Sequence, residues 1–308
     1  MICGVAAAAA QGGRWNDRLD LLTHFAPLWL AGGAAGLLGA IVMRRGWRRG
    51  IATVFALAAV VSASALMAVD LARAPEAPAA SPASRPFKLI EFNAWAGNAD
   101  PAQAARWIAR EDPDVVVIAE STPLLEARLS DLTGLHLFHG SGVVIATKEK
   151  PLAEHVAWEV RALPGAPTAF AWVDLPGPDG RPFTVVGVHN GQPIPARKAW
   201  GRDRKIEALL ATQDRSRVIL AGDFNSTQWS FRQRIADAAF GIARRDVATP
   251  TWPARLAKAG GAPFPMPFLA IDHIYAGSSW KTLSVRRGPR LGSDHYPLIA
   301  TLAWAPAR

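Results

Sequence analysis

The chain has 308 residues, half of them apolar and 19% charged. That composition excludes a disordered or fibrous protein and leaves room for one core of roughly 200 residues plus a further element. Cys3 is the only cysteine, so neither an intrachain disulfide framework nor a cysteine-built metal site is open to it; the formal charge of +9 draws four of its positives from Arg44, Arg45, Arg48 and Arg49, so nucleic acid is permitted as a partner, not required.

The front of the chain is its most apolar part. Leu21 to Met43 carries His24 as its single ionisable side chain, and Ile51 to Val69 carries none. Each run approaches the roughly 20 residues with which a helix crosses a hydrocarbon core. Two transmembrane helices are therefore expected, about 21–43 and 51–69, inside a membrane-anchor region covering 1–70. The basic loop MRRGWRRG between them belongs in the cytoplasm, which puts both outer ends on the far side of the membrane. A cleaved signal peptide or two buried core helices would explain the apolar content but not an arginine turn between two spans. Met1 to Ala10 is also apolar and reads as the stub of another span.

Residues 71–87, which include LARAPEAPAASPASRP, are rich in Ala and Pro and lack apolar periodicity, as a linker does. From 88 to 308 strand and helix patterns alternate without repeats, the signature of one α/β domain. KLIEFNAWAGN opens it with a strand from Lys88 to Phe92 that ends at Asn93. In ADPAQAARWIARE, Asp100 caps a helix, Pro101 fits its first turn, and Ala105, Ile108 and Ala109 supply a packing face. DPDVVVIAEST is a turn and an apolar strand closing on Glu120. FTVVGVHNGQP repeats the design, with a strand from Phe183 to Val188 leading to His189.

ARKAWGRDRKIEALLATQ reads as a helix, with Ala199, Ile206, Leu209 and Leu210 on its apolar face and Arg197, Lys198, Arg202 and Lys205 on a solvated one. VILAGDFN is a buried strand, Val218 to Ala221, whose alternation points Asp223 and Asn225 the same way from its carboxyl end. WSFRQRIADAAF is a further helix. LAIDHIYAG is a short strand with Asp272 near its start. GSDHYPLIATLA closes the series, a Gly-Ser turn presenting Asp294 and His295 before a strand from Pro297 to Ala303.

Taken singly these polar residues have ordinary readings. Asn93 suits a turn, Glu120 a solvated cap, and His189 a structural histidine. Together, Asn93, Glu120, His189, Asp223, Asn225, Asp272, Asp294 and His295 fall at strand ends or turns, where layered α/β folds build their sites. Acids and amides suit a hard divalent cation and histidines suit proton transfer, while no G-x-S-x-G nucleophile motif is present. That set points to metal-assisted attack by water.

FNAWAGN, AE, VHNGQP, GDFN, IDHIY and GSDHYP, in this order, resemble the endonuclease/exonuclease/phosphatase superfamily over Lys88 to about Trp304, and the two spans ahead of them resemble a bacterial membrane-anchored branch of it. The resemblance implies a four-layer α-β-β-α sandwich like that of deoxyribonuclease I. It implies Glu120 as principal ligand of Mg²⁺, with Mn²⁺ as the alternative, Asn93 beside it and Asp294 contributing. It further implies a pair between His295 and Asp272, alignment of water and phosphate by Asp223 and Asn225, and His189 as the second histidine of the site. The expected enzyme is a phosphodiesterase of endonuclease type in the inner membrane, its catalytic domain periplasmic. Its partners are then a phosphate ester, from nucleic acid or a phospholipid headgroup, and the bilayer itself. A phospholipid or sphingomyelin phosphodiesterase, or a phosphomonoesterase, is the alternative. An inactive scaffold would lack a member of the set, and none is missing.

Overall fold

The computed structural model describes residues 1–72, 85–156, 168–194, 203–255 and 262–305. The chain begins with α1 (Ile2–Ala10), the short α2 (Asp17–Asp20), α3 (Ala26–Val42) and α4 (Trp47–Leu71). Glycine and alanine let α1, α3 and α4 approach closely: a Cβ on Gly33 would lie 2.8 Å from Ala59 Cβ, and one on Gly4 2.3 Å from the Phe55 carbonyl oxygen. Large side chains point the other way, with Leu38, Ile41, Val54 and Val61 all more than 60% exposed. Small residues inside and large apolar residues outside invert the pattern of a water-soluble bundle. Asp17–Val42 and Trp47–Leu71 are long and apolar enough to cross a membrane.

The remaining chain builds two six-stranded sheets. The first strands are β1 (Phe87–Asn93), β2 (Val115–Ala119), β3 (His136–His139) and β4 (Val143–Thr147), with α5 (Pro101–Glu111) and α6 (Pro123–Thr133) between β1 and β3. There follow β5 (Ala153–Val156), β6 (Thr168–Pro176), β7 (Pro182–Asn190), α7 (Arg204–Thr212), β8 (Val218–Asp223), α8 (Phe231–Phe240), β9 (Ala243–Arg244), β10 (Asp272–Ala276), β11 (Trp280–Arg287) and β12 (Leu298–Trp304). One sheet runs β11-β12-β1-β2-β4-β3 and the other β5-β6-β7-β8-β10-β9. Each is mixed, with one parallel pair near its centre, β1 with β2 and β7 with β8.

Alternation along these strands explains the layering. Leu89, Val117 and Ile145 meet Val185, Ile219 and Ile274 between the sheets. Their neighbours Ile90, Val116 and Ile118 pack outward under Trp107, Ile108 and Leu129 of α5 and α6. On the far face Val186, Val188 and Leu220 lie under Ile206, Leu210 and Phe240 of α7 and α8. The result is the four-layer α-β-β-α sandwich, in which both parallel pairs send their carboxyl ends to one edge.

Several boundaries differ from the sequence reading for local reasons. The first long helix starts at Ala26, not near 21, because residues 20–25 turn toward the domain: Thr23 Oγ1 donates to the Asp20 carbonyl and His24 faces Thr227. Arg48 and Arg49 lie in the first turn of α4. Leu71 is still helical and Phe87 is already in β1, while residues 73–84 of the expected linker lie outside the described residues. Asp100 does cap α5, its side chain accepting from the Gln103 amide. Of that helix's expected face, Ala105 and Ile108 are buried and Ala109 is half-buried. Arg197, Lys198, Ala199 and Arg202 lie outside the described residues, and α7 begins at Arg204.

Candidate active site

Strand register brings the polar residues together. His189, the penultimate residue of β7, sits beside Asp223 at the end of β8, and Asp272, the first of β10, flanks Asp223 on the other side. Residues level with one another on adjacent strands project to the same face. In the facing sheet Asn93 ends β1 and points, like Leu89 and Glu91 before it, toward the other sheet. Two left-handed residues set the final aim: Glu120 at φ 49° and Asn225 at φ 48°. This conformation is uncommon for such residues and clusters at functional sites. Gly222, at φ 154°, brings β8 so close to β7 that a Cβ would lie 1.9 Å from the Val188 carbonyl oxygen.

Asp223 is the hub. It is 1% exposed and accepts from the Asn225 amide at 2.7 Å, from Asn93 Nδ2 at 3.0 Å and from Asn225 Nδ2 at 3.2 Å. His189 Nε2 and His295 Nε2 each stand 3.9 Å from its Oδ2. Glu120 borders the same space, 3.6 Å from His189 Nε2, with its oxygens facing Asn93 Nδ2 and the Ala96 amide at 3.3 Å each. His295 is held from behind by Asp272, Nδ1 to Oδ2 at 2.9 Å. The GSDH turn is tied to the first sheet because Ser293 Oγ donates to the Asn93 carbonyl and accepts from the His295 amide.

Electrostatics follow from this crowding. Burial, and then the charge of Asp272, push the Asp223 carboxyl up to about 6, against the pull of His295 and His189. For His295 burial acts in the lowering direction, but the charge and hydrogen bond of Asp272, with Asp223 and Asp294, outweigh it and raise the imidazole to about 10. The imidazole is therefore charged at neutral pH. Asp223, Asp272 and, when its imidazole is neutral, His295 offer ligand atoms within 4.8 Å of one another, and Glu120 and Asn93 Oδ1 add hard donors at the mouth. A carboxylate raised by burial and by Asp272, beside a second carboxylate one-third exposed, is a donor set that fits a hard divalent cation.

Seven of the eight expected residues meet in this space. Asp294 stands at the edge of it: its Oδ2 accepts from Trp252 Nε1 at 3.2 Å and fastens the TWP loop over the GSDH turn, its Oδ1 is buried without a hydrogen-bond partner among the described residues, and its charge acts on His295. The loop closes further through Phe264 and Tyr296, whose hydroxyl donates to the Phe264 carbonyl; residues 256–261 lie outside the described residues. Both hydrogens of the Asn225 amide group are engaged, by Asp223 and the Asn190 carbonyl.

Two buried groups escape the sequence reading. Glu91 is fully buried in β1 and is raised well above 4.5 by burial and by Asp272, Asp223 and Asp246. Its signal was an acid inside the apolar run KLIEFN, two residues before Asn93 and so on the same face. His273, next to Asp272 in β10, forms a second His-Asp pair with Asp246 at 2.8 Å and donates through Nε2 to the Ser226 carbonyl at 2.9 Å. Nothing local marks Asp246 as its partner.

The family model for the Endonuclease/Exonuclease/phosphatase family matches residues 90–295, more than half of the chain. No curated protein sequence matches. Among solved structures, an endonuclease/exonuclease/phosphatase from Beutenbergia cavernae aligns with a TM-score of 0.54 and 20% identity, covering 73% of each chain. TDP2 of D. rerio complexed with single strand DNA product aligns with a TM-score of 0.54 and 16% identity over 71% of this chain and 99% of its own. A mannosyl-6-phosphatase of Bacteroides thetaiotaomicron gives 0.51 and 14% over 71% of this chain and 100% of its own. At these identities the likeness is one of fold.

Proposed function

We propose a reaction for this chain from one premise: it belongs to the endonuclease/exonuclease/phosphatase family. The reaction is hydrolysis of a phosphate ester by water, and the observation that carries it is Asp223 standing between two histidines, beside a carboxylate at the cleft mouth. Asp223, lifted to about 6, is matched to neutral pH as a base that takes the proton of the attacking water. Asn225 and Asn93 hold its oxygens in place. His295, kept protonated by Asp272, faces the phosphate as a cation and returns a proton to the departing ester oxygen. His189 stands between Glu120 and Asp223, within reach of a phosphate bound there. Glu120 and Asn93 Oδ1 would hold Mg²⁺ or Mn²⁺, which when bound would offset charge developing on the phosphate oxygens.

Among the solved structures of this fold, one is TDP2 complexed with single strand DNA product and another is a mannosyl-6-phosphatase, which supports a phosphate ester as the substrate class. A phosphodiester of nucleic-acid type is the first substrate class, and a phospholipid headgroup is the second, favoured by the apolar hairpin beside the domain. We place the hairpin in a bacterial inner membrane with 88–308 on the periplasmic side, on the strength of the arginine turn.

The test uses the full-length chain in detergent micelles with bis(p-nitrophenyl) phosphate and Mg²⁺. Glu120→Ala and His295→Ala should each lower turnover by about 10²-fold or more, the scale of a positioned acid or base. Unchanged turnover in both would sink the mechanism. Plasmid DNA, anionic and zwitterionic phospholipid vesicles and a phosphomonoester, offered under the same conditions, separate the substrate classes; cleavage of lipid alone would reverse their order.

A further inference from the structure

The loop that follows Asn225 is buried by the apolar hairpin. Ser226, Thr227, Gln228, Trp229 and Ser230 are each no more than 2% exposed, and Trp229 packs with Ala10, Ala26 and Leu66. Polar contacts complete the seat. The Thr227 amide donates to His24 Nδ1 at 3.1 Å, and the Thr227 hydroxyl lies 3.0 Å from the same nitrogen. An amide can only donate, so this nitrogen is the unprotonated one of the ring. Trp229 Nε1 donates to the His24 carbonyl at 3.3 Å. Asp20 accepts from the Phe231 amide and Ser230 Oγ, each at 2.8 Å, and from the Arg232 amide at 3.2 Å, so the start of α8 is capped by a residue more than two hundred positions away.

A second thread reaches the same loop from α4. Asp70 pairs with Arg244 and accepts from the Ala248 amide at 3.1 Å. Arg244 pairs with Asp246, which holds His273, and His273 donates to the Ser226 carbonyl. Both His273 nitrogens face acceptors, so the ring is doubly protonated. Thus the loop between Asn225 and α8 is clamped at its backbone by groups from both ends of the hairpin.

We propose that the hairpin is a positioning element of the active site, in which His24 and Asp20 lock the loop that holds Asn225 and, through it, Asp223. This rests on the reading of Asp223 and Asn225 as site residues. A passive tether would need no buried polar contact with the domain. Here an unpaired Thr227 amide or Ser230 hydroxyl would be left in a closed interior, a state that buried polar groups avoid. On the carboxyl-terminal side of the left-handed Asn225, His273 holds the Ser226 carbonyl and His24 holds the Thr227 amide, so the lock supplies part of the constraint on the loop. Loss of the lock loosens the aim of Asp223 in the transition state, which lowers kcat more than it raises KM.

The test compares His24→Leu and His24→Asn in the full-length chain with bis(p-nitrophenyl) phosphate. Asparagine places an acceptor oxygen where Nδ1 stood, and leucine places none. The lock predicts a fall in kcat of about tenfold for His24→Leu with KM within about twofold, and recovery to within about threefold of wild type for His24→Asn. Wild-type kcat in a folded His24→Leu protein would overturn it, and so would equal loss in both variants. Hydrogen exchange on the wild-type chain needs no variant: the Thr227, Phe231 and Arg232 amides should be as protected as those of β8, and exchange at open-loop rates would overturn the lock as well. His295→Ala distinguishes the two layers. If it turns over normally, the site reading falls; if it is inactive while His24→Leu is normal, only the lock falls.

Discussion

At the scale of residues the site is governed by crowded charge. Asp223 is raised from 3.8 to about 6, first by burial and then by Asp272. A carboxyl raised in the folded state contributes stability below its unfolded value and loses it as pH climbs through the folded one, so above pH 6 the cation-free protein carries a penalty on the order of 3 kcal/mol. Asp223→Asn removes that charge. In chelator, the stability of the variant relative to wild type should rise by up to about 3 kcal/mol between pH 4 and pH 7, read by thermal unfolding, while activity falls by about 10²-fold or more. A difference that stays flat with pH would refute the assignment. Glu91 gives a complementary case. Its carboxyl raised by burial and by the acids around it, Glu91 should tolerate Glu91→Gln within about 1 kcal/mol and with turnover retained, whereas Glu91→Ala, which leaves a cavity, should cost about 2 kcal/mol or more. An inactive but stable Gln variant would mean that Glu91 works as a charge. Glu91 was legible only as an oddity in KLIEFN; its carboxyl is raised first by burial and then by Asp272 and Asp223 from other strands and Asp246 from the loop after β9.

At the scale of elements, two parallel strand pairs deliver the site. The apolar runs before Asn93, Glu120, His189 and Asp223 were readable as strands because β alternation is local, and so was the cap that Asp100 places on α5. Which strands lie side by side was not readable, since register between β7, β8 and β10 is set by contacts far apart in sequence. Gly222 shows how tight that register is. In Gly222→Ala the methyl would meet the Val188 carbonyl at 1.9 Å, in a backbone conformation that disfavours L side chains. Neither parallel strand can withdraw without breaking the β7-β8 ladder, so the expected cost exceeds about 4 kcal/mol. Gel filtration should then show no monodisperse protein; a folded, active alanine variant would show that the ladder yields.

At the scale of the whole molecule, the hairpin and the sandwich share buried polar contacts at one end of α3 and α4, with the arginine turn at the other. If the pair spans a membrane, catalytic loop and bilayer surface are held at a fixed distance, which limits substrates to phosphate esters presented near that surface or diffusing to it. Charge bias predicts the arginine turn in the cytoplasm. A C-terminal alkaline phosphatase fusion should then be enzymatically active, and a fluorescent cytoplasmic reporter at the same position dark; the opposite pair of signals would invert the topology.

The sequence by itself determined which residues could do chemistry here. Apolar strand patterns that lead to Asn93, Glu120, His189 and Asp223, or that follow Asp272 and His295, are local, and local geometry decides where a strand starts or stops and which way its terminal side chain points. The tertiary structure alone decided what those residues are to one another. The raised carboxyl of Asp223, the raised imidazole of His295, the raised carboxyl of Glu91 and the seat of Thr227 on His24 all arise from groups brought together across more than twenty residues of chain. Electrostatic and hydrogen-bond energies fall off over a few ångströms in space, and distance in space is what the linear pattern does not carry.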